Sequence, residues 1–415
     1  MIPGSFALID DPALALKVRC HWIRSAREQI QAQYYSWEED CSGKLLLGEL
    51  LHAARRGVRV QLLVDDLYAG DNRFLEMVAH CPGIEVRLFN PFWLRGWRPL
   101  ALLLEGIFTF RRINHRMHNK LLLVDGKLAL IGGRNIGDRY FGLDPDAPFV
   151  DLDLACQGAI CEQMAAGFAQ FWQSRWSHPI RHLLRRRLQP AEIRVVNDFL
   201  LTIADPAVAA VYDLPASLFD GNEPALAWHT GRAEVWFDRP GKGLVSRPVT
   251  ARQLWRQLAD APSTLRMVTP YLILTGGFRR RLQRLRRQGV VIEILTNSLA
   301  STDVPLVHGA YQRHRGWLLR QGIRLCEFDE GQGSLHAKLI LLGEDRALFG
   351  SLNLDPRSLF LNTELMLQLE CAPICQQLQA WLLQWQGQGE PRKAEGWSRR
   401  LVARLSDWLP LHRWL

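Results

Sequence analysis

Read for its apolar and polar positions, the chain gives one pattern twice. QIQAQYYSW (29–37) reads as a strand, and GKLLLGELLHAARRG (43–57) places apolar residues at helical spacing along one face. GVRVQLLVDD (57–66) is then a continuously apolar run that ends in acid. The same order returns in STLRMVTPYLIL (263–274), GFRRRLQRLRRQG (277–289) and GVVIEILTNS (289–298). Strand, amphipathic helix and continuously apolar strand mark a βαβ unit, whose second strand is covered by helices on both faces. The pattern predicts an α/β fold of two pseudo-repeated halves. Each is expected to be a mostly parallel or mixed β-sheet flanked by helices, with one site at their interface.

A second element is also duplicated. Residues 118–135 read HNKLLLVDGKLALIGGRN and residues 336–353 read HAKLILLGEDRALFGSLN. In each, two apolar runs flank a turn, which predicts a β-hairpin. Each begins with His two positions before Lys and ends in Gly-Gly-x-Asn or Gly-Ser-x-Asn. A lone His-x-Lys means little, since structural histidines are the default. Two copies in one register imply a single site to which each half gives an imidazole, an ammonium and an amide. The expected division is 1–180 for the first half, 181–225 for a proline-bearing connector, 226–385 for the second half and 386–415 for a separate tail.

Composition narrows the partners. At 415 residues the chain is long enough for two halves with cores of their own. A net charge of +9 favours acidic partners, either phospholipid headgroups or nucleic acid. The basic segments lack interleaved aromatics for base stacking, whereas tryptophans stand beside aliphatic stretches, which favours lipid over nucleic acid. The eight cysteines are scattered, and the close pair Cys371 and Cys375 has no second pair at zinc spacing. They read as reduced core thiols of a cytosolic protein. The beginning of the chain lacks the basic and apolar regions of a signal peptide. No apolar window reaches about 18 residues, so any membrane contact is expected to be peripheral.

The repeated residues suit attack on a phosphodiester. Its charge repels nucleophiles, so an enzyme needs a nucleophile active at neutral pH, cations on the phosphoryl oxygens and an acid for the leaving alkoxide. Neutral imidazole attacks phosphorus and a protonated imidazole serves the leaving oxygen, two tasks that His118 and His336 divide between them in either order. Lys120, Lys338, Asn135 and Asn353 then neutralise and orient the phosphoryl oxygens. Each imidazole needs an orienting carboxylate. Asp151 in FVDLDL and Glu364 in NTELML follow the two motifs by about thirty residues and are the candidates. This chemistry calls for no metal and no cofactor.

These residues resemble the phospholipase D superfamily, whose signature is a duplicated His-x-Lys-x4-Asp. The first copy matches as His118, Lys120 and Asp125, followed by Gly132, Gly133 and Asn135. QYYSWEED, NHRMHNKLLLVDG, IGGRNIGDRYFG, LTNSLASTDVPLVH, SLHAKL and GSLNLDPRSLFLNTE look like the bacterial cardiolipin synthase branch. The resemblance implies phosphatidyl transfer. A donor such as phosphatidylglycerol or phosphatidylethanolamine gives a phosphatidyl-histidine, which passes its group to a hydroxyl of phosphatidylglycerol. It also implies a catalytic place for Asp125 and work on the cytoplasmic face of a bacterial inner membrane. The second copy departs at Gly343, with Glu344 and Asp345 next in the turn. A shifted turn carboxylate is expected there rather than a decayed site, because Lys338, Gly350, Ser351, Asn353 and Glu364 remain. A phosphodiesterase or nuclease and a membrane-binding protein with a decayed site are the alternatives.

Gly133, Ser351 and Arg357 are expected to touch substrate, and His308 with Tyr311 to line the acceptor side. His115 reads as a surface or loop residue, and the arginine runs 185–187 and 279–287 as solvated helix faces or a membrane-facing surface. Trp93 and Trp97, ahead of an aliphatic run at 100–104, are candidate membrane contacts. So is the tail, where Trp397, Leu401, Leu405 and Trp408 share a helical face. Packing against the protein body gives the same pattern in both segments.

Overall fold

The computed structural model describes residues 1–69, 72–92, 110–183, 188–212, 214–260, 262–328, 331 and 333–386. The candidate membrane contacts Trp93, Trp97, Trp397 and Trp408 lie outside the described residues, as do the aliphatic run 100–104 and the arginines 185–187. Among the described residues, no helix is long and apolar enough to cross a membrane.

A mixed sheet of 15 strands runs through both halves. From one edge to the middle its strands are Arg324–Phe328, Val291–Asn297, Thr264–Val268, Leu339–Leu342, Arg346–Gly350, Leu365–Glu370 and His229–Phe237. Onward to the other edge come Ile2–Ile9, Asp153–Gln157, Leu128–Gly132, Leu121–Val124, Gln29–Tyr34, Arg59–Asp65, Ile84–Phe89 and the short Ser177–Pro179. Apart from that last strand, the second series repeats the first in reverse. The halves are therefore related by a pseudo-twofold axis, which passes where Gly4 lies opposite Gly231 in the antiparallel central pair.

The expected elements form for the expected reasons. Arg59–Asp65 and Val291–Asn297 each bury every residue after the first, as strands covered on both faces must. The helices Cys41–Arg55 and Gly276–Arg287 start at side-chain caps, where Asp40 and Thr275 accept from the amides of Gly43 and Phe278. Gly276–Arg287 buries Phe278, Leu282 and Leu285 and turns its arginines outward, two of them over Trp317 and Trp255. One apolar core belongs to each half. A third runs beneath both, from Leu121 and Leu154 to Leu339 and Leu367, and joins them without a break.

The stretch expected as a connector has a larger part. Its helix Pro190–Ile203 lies across Cys41–Arg55 so closely that a Cβ on Gly48 would sit 2.2 Å from the carbonyl oxygen of Leu200. Leu200, Leu201, Ile203, Leu214 and Leu218 belong to the core of the first half.

The hairpins explain the defective second motif. Asp125 and Gly343 stand at equivalent turn positions with φ of 51° and 71°, in the left-handed region. The Asp125 carboxylate accepts from the amides of Arg27, Glu28 and Gln29 at 2.9, 2.8 and 2.9 Å. Those three amides outweigh the cost of its partial burial and lower its pKa. Asp125 is therefore a turn cap that ties the hairpin to the neighbouring strand, at the end away from His118. It does not line the cavity that holds the two motif histidines. Gly343 forgoes these bonds but keeps the backbone, donating its N–H to the Thr264 carbonyl at 3.0 Å. Glycine suits that φ, and the bonds it forgoes lie at the turn, at the far end of the hairpin from His336.

Candidate active site

Each motif histidine is seated on a strand from the opposite half. Ser334–Leu335 pairs in parallel with Phe149–Val150, and Met117 pairs in the same sense with Thr363. The His336 amide donates to the Val150 carbonyl at 2.8 Å, and the His118 amide to the Thr363 carbonyl at 2.9 Å. Val150 and Thr363 directly precede the two carboxylates. Glu364 Oε2 thereby lies 2.9 Å from His118 Nδ1, and Asp151 Oδ2 lies 2.6 Å from His336 Nδ1. Sequence order gives no pairing between acids and histidines. The fold crosses them, so that each half orients the imidazole of the other.

With Nδ1–H donating to a carboxylate, Nε2 of each ring is left as the reactive nitrogen. Burial lowers both histidine pKa values against the pull of their carboxylates, to about 4 for His118 and about 3 for His336. At pH 7 both are neutral. Burial works against ionised Asp151 and Glu364, yet the facing imidazoles and lysines outweigh it. Both acids are lowered, Asp151 to about 2.

The lysines lie beneath the rings. Lys120 Nζ donates to the His118 carbonyl at 2.9 Å, and Lys338 Nζ donates to the His336 carbonyl. Lys338 Nζ also lies 2.8 Å from His336 Nδ1 and 3.1 Å from its Nε2. Burial lowers both ammonium groups, Lys338 to about 8. Asn135 donates to the Tyr140 hydroxyl at 2.9 Å, whereas Asn353 Oδ1 is buried without a partner.

Gly133 and Ser351 act through the carboxylates. A Cβ on Gly133 would fall 2.1 Å from Asp151 Oδ1, so the bare backbone is what lets Asp151 sit there. At the equivalent position Ser351 Oγ donates to Glu364 Oε2 at 2.5 Å, and Ser358 Oγ donates to the other oxygen at 2.7 Å.

A cavity of about 380 Å³ opens over both imidazoles. Its walls include Tyr35, Asn135, Tyr140, Phe149, Asn353 and Arg357. Tyr35 stands edge-on to His118 and Tyr140 edge-on to His336, with ring centroids 5.0 and 5.3 Å away.

The expected acceptor residues do not reach this cavity. Val304, just before helix Pro305–Arg320, and Val307 in its first turn line the wall, and the next turn passes behind it. There His308 packs against Tyr311 and meets Gln312 at 2.7 Å, while the Tyr311 hydroxyl donates to Glu327 at 2.5 Å. His115 is not at the surface either. It is fully buried, with its ring nitrogens facing the carbonyls of Leu361 and Pro240 in the second half.

Two positioning residues escaped the sequence reading, although one is the acid noted at the end of GVRVQLLVDD. Asp65 Oδ2 accepts from the Met117 amide at 2.7 Å, and Asn297 Oδ1 accepts from the Leu335 amide at 2.9 Å. Each ends the second strand of its βαβ unit and fixes the residue just before a motif histidine.

Paired imidazoles with crossed carboxylates, on two halves of one sheet related by a pseudo-twofold axis, define a phospholipase D fold. The chain belongs to this superfamily, through the family described as cardiolipin synthase, PLD-like domain, which matches residues 20–172 and 254–385. Cardiolipin synthase C of Escherichia coli (strain K12) is 35% identical over 414 residues, covering 90% of this chain and 82% of that protein. The major cardiolipin synthase ClsA of Bacillus subtilis (strain 168) is 26% identical over 345 residues, covering 82% of this chain and 60% of that protein. The crystal structure of a phosphatidylserine synthase from Haemophilus influenzae shares the fold, with a TM-score of 0.69 at 14% identity over 99% of this chain and 95% of that one.

Proposed function

We propose that the protein is a phosphatidyltransferase of the cardiolipin synthase type. The observation that carries this reading is the pair of neutral, carboxylate-oriented imidazoles facing one cavity above two buried lysines. Similarity to cardiolipin synthases supplies the substrate class.

His118 Nε2 attacks the donor phosphorus, and the bond from phosphorus to the headgroup oxygen breaks. His336 gives its proton to that oxygen. It acquires the proton when the donor binds, because a phosphodiester anion beside it raises its pKa from the low value that burial imposes. The acceptor hydroxyl then gives its proton to His336 while its oxygen attacks phosphorus. The phosphorus–nitrogen bond breaks, and His118 is released neutral. Lys120, Lys338, Asn135 and Asn353 hold the phosphoryl oxygens through both steps. The donor is phosphatidylglycerol or phosphatidylethanolamine and the acceptor is phosphatidylglycerol. The protein works peripherally, on the cytoplasmic face of a bacterial inner membrane, with Trp93, Trp97 and the tail as membrane contacts.

Incubation with defined phospholipid vesicles, with products read by mass spectrometry, tests this. A lipid product carrying two phosphatidyl groups, and a trapped phosphate adduct on His118, are expected. An adduct on His336 would exchange the two roles. Cleavage of single-stranded DNA without lipid turnover would replace the reading by a nuclease.

A further inference from the structure

The pseudo-twofold axis makes the two sides of the cavity comparable residue by residue, and at one level they differ. Arg139 and Arg357 hold equivalent places, four residues after the motif asparagines. Phe149 and Asn362 likewise stand two residues before Asp151 and Glu364. All four line the cavity.

On the His336 side the arginine is tied down. Arg139 Nε donates to the Ala147 carbonyl at 2.7 Å, and its guanidinium lies 4.0 Å over the Phe149 ring. Phe149 in turn packs on His336, with ring centroids 5.0 Å apart. On the His118 side the same two positions are polar and open. Arg357 makes no ion pair or side-chain hydrogen bond with any described residue, and its Nε is buried without a partner. Asn362 is 6% exposed, and its Oδ1 also lacks a partner. The neighbouring Asp355 also lines the cavity and attracts the arginine, but the two form no ion pair: its Oδ1 accepts from the Ser358 amide at 2.9 Å, and burial raises its pKa to about 6. An arginine kept unpaired at a cavity wall is a group that binds a phosphate, since guanidinium meets phosphate oxygens through paired N–H bonds, and an amide oxygen left unpartnered beside it accepts from a hydroxyl.

We propose that Arg357 forms a second anion subsite, which holds the phosphodiester of the acceptor lipid, with Asn362 Oδ1 accepting from a hydroxyl of the same headgroup, while the terminal hydroxyl attacks the phosphatidyl-histidine. This rests on the transfer reading above. The reacting phosphate is taken by the imidazoles, lysines and motif asparagines. An acceptor such as phosphatidylglycerol brings a phosphate of its own, separated from the attacking hydroxyl by only a three-carbon bridge. Two anions that close repel in a site shielded from water unless each meets its own cation. Duplication alone yields one cation set for one phosphate, and the broken symmetry at Arg357 provides for the other.

The test uses the full-length protein, a fluorescent donor phospholipid in mixed micelles, and two acceptors. Short-chain phosphatidylglycerol carries the second phosphate, and free glycerol lacks it. In Arg357→Gln the ratio of kcat/KM for phosphatidylglycerol to that for glycerol should fall by about tenfold or more, mainly through KM, with Arg357→Lys recovering part of it. Glycerol 3-phosphate should compete with phosphatidylglycerol in the wild type and compete less well in Arg357→Gln. Equal losses with both acceptors would place Arg357 on the donor phosphate or in the fold of its loop, and would overturn the subsite. An unchanged ratio would do the same. If the wild type hydrolyses the donor and transfers to neither acceptor, the transferase reading itself fails, and the subsite fails with it.

Discussion

Four ionisable side chains of this site, Lys120, Lys338, Asp151 and Glu364, are no more than 2% exposed. Charges so placed persist only when each faces its opposite at close range, and their pKa values record the outcome. Lys338 matters most for pH, because its value of about 8 lies closest to neutrality. Its folded value is depressed, so the cation is present below about pH 8 and is lost as pH rises through it. Transferase kcat/KM should therefore fall on the alkaline side near that pH, and Lys338→Arg should abolish that limb whatever its absolute rate. Persistence of the limb in the arginine variant would assign it to another group. Ser351 gives a finer test. Ser351→Ala removes one of three side-chain donors to Glu364 and should lower kcat by about tenfold, with little change in Tm. A Tm fall of many degrees would make the hydroxyl a stability device instead.

At the scale of elements, backbone close approach matters as much as side chains. Gly133→Ala places a methyl where Asp151 Oδ1 now lies, so the carboxylate must move off His336. Expelling one member of a buried pair costs about 3–5 kcal/mol, and the variant should lose most turnover together with urea resistance. Wild-type kcat in Gly133→Ala would show that Asp151 does not orient the imidazole. The strands, helices and hairpins were legible in the sequence because burial on one or both faces imposes a period on neighbouring residues. Misplaced residues fall where the answer depends on what packs from elsewhere. His115 stands in a polar stretch, NHRMH, yet is sealed by carbonyls of the second half. His308 and Tyr311 follow cavity-lining valines on one helix, and only the path of that helix carries them behind the wall. Asp125 was legible as a motif member, but its three amide partners lie almost a hundred residues away in sequence.

At the scale of the whole molecule, the duplicated sequence showed that two halves build one site but not how they share it. Either acid was free to serve its own histidine, since the linear spacing is the same for both arrangements. What decides is the docking of Ser334–Leu335 on Phe149–Val150 and of Met117 on Thr363, which no local pattern encodes. The crossing makes a thermodynamic prediction, because residues in contact couple and distant ones add. In full-length protein, His118→Ala combined with Glu364→Gln should destabilise less than the sum of the single changes. The coupling should be about 1–3 kcal/mol by urea unfolding, and His336→Ala with Asp151→Asn should behave alike. The uncrossed pairs, His118 with Asp151 and His336 with Glu364, should add within about 0.5 kcal/mol. Equal coupling in all four cycles would show that the site responds as one charged cluster. Coupling confined to the crossed pairs means that neither half can assemble a working histidine without the other, so that the interface between the halves is itself part of the catalytic machinery.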